Sequence, residues 1–125
     1  MNHVNLYELE GTEYPAGRIS RVLVGDNGAL QGNYFVQGYS IIYPNCGIPE
    51  HEHPAEETYF IYSGSGYMVV DGETTDLKAG DLILVQSGKK HRLFNSSDSD
   101  MHMMYVYAPK MIVDHWQQEL NGELK

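Results

Sequence analysis

Apolar and β-branched residues gather in short stretches along the chain, at positions 18–24, 33–43, 57–63, 66–70, 81–86, 91–94 and 101–108. Each stretch has strand length. Between them stand runs that favour turns: Asp26-Asn27-Gly28, Ser63-Gly64-Ser65-Gly66, Asp71-Gly72-Glu73, Lys78-Ala79-Gly80-Asp81 and the polar segment 96–100. Such residues tolerate positive φ or close a turn through their side chains. Strands at this spacing predict an all-β fold, either a double-sheet jelly roll or a closed barrel. After Pro109 the period changes. Met111, Ile112, His115, Trp116 and Leu120 recur at helical spacing until Asn121-Gly122 stops them, which predicts a short C-terminal helix packed on the outside of the barrel. The polar segment 1–17, with Pro15 and Gly17 near its end, reads as an N-terminal arm. The expected organisation is one domain: an arm over 1–17, a barrel over 18–109 and a helical segment over 110–125. No internal repeat interrupts it.

Composition narrows the function. The chain has 125 residues, enough for one continuous core. Lys+Arg number 8 against 17 Asp+Glu, for a net charge of -9. A phosphate backbone or an anionic membrane would be repelled. No apolar run is long enough to span a bilayer, and residues 1–10 lack the basic start and apolar middle of a signal peptide, so the expected location is the cytoplasm. Cys46 is the only cysteine. That excludes an intrachain disulfide and a cysteine-based zinc cage, and leaves His and carboxylate as the means of holding any metal.

Four residues supply such a set. His51-Glu52-His53 places two imidazoles on the same side of an extended backbone, and Glu57 shares that side if the strand runs on unbroken. A partner is needed from across the barrel. His91 follows the Ser87-Gly88-Lys89-Lys90 turn at the head of a strand and is the natural candidate. Three neutral nitrogens and one carboxylate oxygen suit one divalent transition metal ion, Mn, Fe, Co, Ni, Cu or Zn, with two octahedral positions left for water or substrate.

These residues resemble the two motifs of the cupin superfamily. His51, His53, Glu57 and Gly64 match G-x5-H-x-H-x3,4-E-x6-G, and Gly80, Gly88, His91 and Asn95 match G-x5-P-x-G-x2-H-x3-N. Gln86 occupies the proline position of the second motif, and Asn45 stands where the first would open on glycine. The resemblance implies a small single-domain protein with a jelly-roll barrel (double-stranded β-helix) open at one end. It also implies a metal deep in the bowl and homodimers formed through the sheets. Cupins include oxalate decarboxylases, quercetin dioxygenases, sugar-phosphate isomerases and epimerases, lyases, and domains that only sense ligands, so the resemblance leaves the substrate open.

Around the four ligands, Tyr59 continues the parity of His53 and Glu57 and is a candidate acid or substrate-orienting group. Tyr43 and Glu50 are the other catalytic candidates, whereas parity turns Glu52 and Glu56 away. Asn95 shares parity with His91 and is expected to bond backbone near the site. Met101, Met103 and Met104 around His102 offer soft atoms, but a final strand needs apolar residues without any metal. His3, His102 and His115 are read as surface or packing, and Cys46 as a small apolar residue. Lys89, Lys90 and Arg92 form a basic cluster able to guide an anionic substrate. The expected function is that of a metalloenzyme using Lewis-acid chemistry on a small polar molecule, an organic acid or sugar derivative, by isomerisation, decarboxylation or elimination. A metal-dependent dioxygenase and a non-catalytic binding or sensing module are the alternatives.

Overall fold

The computed structural model describes residues 1–111 and 113–125; Ile112, part of the helical period above, lies outside the described residues. After a single 3-10 turn at Leu6–Glu8 come the strands β1 (Thr12–Tyr14), β2 (Arg18–Val24), β3 (Val36–Ile42), β4 (Gly47–His51) and β5 (Glu56–Ser63). They are followed by β6 (Ser65–Val70), β7 (Glu73–Lys78), β8 (Leu82–Val85), β9 (His91–Phe94), β10 (Met101–Ala108) and a helix, α1 (His115–Leu120). The strands form a six-stranded sheet in the order β1-β2-β3-β10-β5-β8 and a four-stranded sheet in the order β4-β9-β6-β7. Pairing within both sheets is antiparallel. This is the expected jelly roll.

Alternation builds the core between the sheets. Along β10, Met101, Met103, Tyr105 and Tyr107 are buried while His102, Met104 and Val106 face outward. The methionines of this strand therefore serve packing, and His102 turns away to hydrogen-bond Tyr39 at 2.8 Å on the outer face. Gly38 makes room on the neighbouring strand, because a side chain there would overlap the Tyr105 ring.

Several elements differ from the expected ones. β4 carries Gly47 and Pro49, which argue against a strand in sequence; it is an edge strand, and its register against β9 shifts between Ile48 and His51, where the proline sits. β7 is almost wholly polar, with Leu77 its only buried residue, so periodicity could not reveal it. The arm is part of the sheet, since β1 pairs with β2. His51 and Glu57 do not share a strand. β4 and β5 belong to different sheets, and residues 52–55, with Pro54 among them, carry the chain across.

The helix departs furthest from expectation. It covers 115–120 rather than 110–125, and it packs over one end of the barrel with Gln117, Gln118 and Leu120 left exposed. His115 and Glu119, one turn apart and on one face, point into the barrel, and Glu119 is 1% exposed. The reason is ionic. Arg18, inward at the start of β2 and also 1% exposed, needs a counter-charge, and Glu119 provides a two-pronged ion pair at 2.7 and 2.8 Å.

Candidate metal centre

The two motifs meet at one end of the barrel. His51 closes β4 and is the cross-strand neighbour of His91, which opens β9. Glu57 enters from β5 in the other sheet, and His53 from the crossing between them. The backbone N–H of Gly88 donates to the His53 carbonyl at 2.9 Å, tying the second motif to the first. Asn45 has φ 58, so the position where the motif opens on glycine keeps its left-handed backbone with asparagine, a residue that tolerates it. Asn95 donates to the carbonyls of Ile42, Tyr43 and Ser99, locking the strand ends beneath the site.

Each motif histidine is oriented in the same way. Nδ1 of His51 lies 2.7 Å from the Pro49 carbonyl, Nδ1 of His53 2.9 Å from that of Ala55, and Nδ1 of His91 2.8 Å from that of Lys89. A carbonyl only accepts, so each Nδ1 carries the proton and each neutral ring presents a bare Nε2. Glu57 Oε1 stands 3.1 Å from Nε2 of His53 and 3.3 Å from Nε2 of His91. Lone pairs facing an anionic oxygen need a cation or a proton between them. Nε2 of His51 is buried with no hydrogen-bond partner. One donor atom from each of His51, His53, Glu57 and His91 lies within 4.8 Å of the others. The set therefore fits a divalent cation, and the carbonyls behind the imidazoles are the outer partners that such ligands use.

The electrostatics agree. Burial, with His91 adjacent, lowers His51 to about 3. Burial also works against a charged His53, yet the Glu57 carboxylate wins and raises it above 6.5. For Glu57, burial alone would raise the carboxyl, but the two facing imidazoles outweigh it and hold it down at about 2. Without a cation, a proton shared between His53 and Glu57 takes its place.

Of the catalytic candidates, the structure brings only Tyr59 to the cluster. Its ring lies 5.8 Å from that of His91, and burial followed by the Glu57 charge raises its phenol far above the usual range. Tyr43 instead donates to Glu13 at 2.6 Å, and Glu50 points outward from β4. Lys90 and Arg92 are exposed, with Arg92 lying over the Phe94 ring, and Lys89 lines a separate cleft beside Met68, so the basic cluster does not face the bowl.

His115, read as surface or packing, stacks on His51 with ring centroids 3.7 Å apart. Trp116 follows it and packs on Tyr105 and Tyr107. Together with Arg18, Ser20, Tyr59 and Tyr105 they line a void of about 10 Å³ beside Glu57. Arg18 and Glu119 were not legible as site residues. Their only signal is a charged residue at an inward position of a strand and another one turn beyond His115.

A family model described as Cupin domain matches residues 38–107, more than half of the chain, and spans both motifs. The chain belongs to the cupin family. Among curated cupin relatives, the polyketide synthase CurC of Streptomyces cyaneus is 29% identical over 108 residues, covering 85% of this chain and 68% of its own. The oxalate-binding protein of Thermotoga maritima is 31% identical over 64 residues, covering 50% of this chain and 53% of its own. A crystal structure from Thermotoga maritima described as a predicted oxalate decarboxylase superposes with a TM-score of 0.74 at 18% identity, covering 86% of this cupin and 98% of that chain. Identity at that level speaks for the fold alone.

Proposed function

We propose that this cupin is a metalloenzyme that binds a small organic acid or sugar derivative at an ion held by His51, His53, Glu57 and His91. The observation carrying this reading is the common tautomer of the three histidines, whose bare Nε2 atoms converge on the Glu57 carboxylate. When bound, the ion would supply Lewis acidity, polarising a carbonyl or stabilising an enolate in isomerisation, decarboxylation or elimination. The protein's own groups set the rest. Tyr59 stays protonated at neutral pH, so it donates rather than abstracts a proton. Burial of all four ligands, the most exposed at 7%, keeps bulk water from the centre. An oxalate-binding relative supports an organic acid as the ligand class. The single Cys46, unpaired, suits the reducing cytoplasm.

The test is elemental analysis of the protein purified without added metal or an affinity-tag nickel step. Near-stoichiometric Mn, Zn, Ni, Co, Cu or Fe that disappears in the His51→Ala, His53→Ala variant is the expected result, and iron would direct assays to dioxygen chemistry. Mixed, sub-stoichiometric metal that the variant leaves unchanged would sink the reading.

A further inference from the structure

The Arg18–Glu119 pair is built like a ligand contact. Nη1 and Nη2 of Arg18 donate separately to the two oxygens of one carboxylate, the backbone N–H of Ala16 donates to the same carboxylate at 3.0 Å, and the Tyr14 ring lies 4.3 Å under the guanidinium. This fork is the arrangement by which arginine recognises a carboxylate. Glu119 brings its carboxylate in on a helix of six residues, too short to hold itself together, so α1 stays in place only through what it touches.

The void beneath α1 holds two polar atoms that packing leaves unpaired. Tyr105 Oη and His115 Nδ1 are buried without hydrogen-bond partners among the described residues, and both residues line it together with Arg18 and Glu57. At about 10 Å³ it has space for at most a single water. A cleft of about 550 Å³ lies alongside, lined by Tyr14, Gln117 and Leu120 among others. The cleft and the void share Ser20 and Trp116 as wall. Movement of the segment bearing Trp116 would join them.

We propose that Arg18 is the carboxylate-reading residue of the bowl and that Glu119 occupies it as an internal stand-in, so that a carboxylate ligand enters by replacing Glu119 and displacing α1. This rests on reading the bowl as the ligand site and narrows its substrates to carboxylates. The exchange is balanced in charge, because Arg18 is never left buried and unpaired: one carboxylate leaves as another arrives. A neutral molecule of the same shape cannot make that exchange.

Trp116, the only tryptophan, sits on α1 and reports its position. The experiment titrates succinate, and succinamide as the uncharged control, into zinc-loaded protein at constant ionic strength while tryptophan emission is recorded. Zinc content is measured in the same samples. Expected is a saturable red shift with succinate, none with succinamide, and a half-saturating concentration at least about tenfold lower in Glu119→Gln, where the competitor is weakened. In Arg18→Gln the succinate response disappears while zinc remains stoichiometric. No shift in the wild-type protein overturns the proposal by itself, whether or not Glu119→Gln folds, as does a shift that survives undiminished in Arg18→Gln. Failure to bind zinc sinks the metal reading instead, and the succinate response of the same samples still decides the role of Arg18.

Discussion

A buried imidazole that must take its second proton inside the bowl is costly to keep in acid. The Pro49 carbonyl holds the Nδ1 proton of His51, so protonation there must occur at Nε2. His51 falls to about 3 from 6.5, and His115, stacked on it, is also lowered, chiefly by burial. For both, the unfolded chain takes up a proton at a pH where the folded chain refuses it. Metal-free stability contributed by these groups is therefore present above about 6.5 and is lost as pH falls toward about 3. His53 works in the opposite direction, since its raised value favours the charged folded form below 6.5. Glu57, held at about 2, adds to the loss below about 4.5, so three groups against one give a net loss. The melting temperature of metal-free protein should fall across that window, and the fall should shrink in His115→Leu; an unchanged slope in that variant would remove His115 from the account. With metal bound, the same protons compete with the ion, so a hundredfold excess over Kd, which adds roughly 2.7 kcal/mol, should cease to stabilise in acid.

At the scale of elements, the contacts of α1 predict its energetics. Glu119→Ala leaves Arg18 charged, buried and unpaired, and should cost about 3–5 kcal/mol in urea unfolding. Replacing both partners, as in Arg18→Met, Glu119→Leu, should cost much less than the single change. A double-variant loss equal to the sum of the Arg18→Met and Glu119→Leu losses measured singly would mean that the pair is not coupled. Elements also mark how far the sequence could be read. Alternation in β10 and the turns after β5 and β8 were legible because apolar period and glycine coincide there. β7 was not, because a strand at the sheet's edge buries one leucine and shows polar residues elsewhere. The four candidate ligands stand out by spacing, but the strand does not run on unbroken from His51 to Glu57; the two meet because the chain changes sheets between them. The inward turn of α1 was hidden because its cause is a charge pair 101 residues apart, which no local pattern encodes.

At the scale of the whole molecule, an apolar patch among the described residues faces solvent. On the outer side of the six-stranded sheet, Phe60 stands opposite Leu82 across the β5–β8 pair, with Tyr62 and Leu84 adjoining; Leu82 is 63% exposed and Leu84 54%. A surface of this kind in an acidic protein is suited to covering by a second copy, and the homodimer expected from sequence is proposed to form there. Light scattering after size exclusion should give twice the mass of one chain, and Leu82→Glu, Leu84→Glu should give a monomer that still binds metal. A monomeric wild-type protein would refute this. Among the described residues no helix is long and apolar enough to cross a membrane.

The position of α1 after β10 has a consequence in time. Synthesis runs from the N-terminus, and domains begin to fold as their segments emerge. His51, His53, Glu57 and His91 all leave the ribosome before His115 and Trp116, so the contact of α1 with His51 is the last to form around the candidate site.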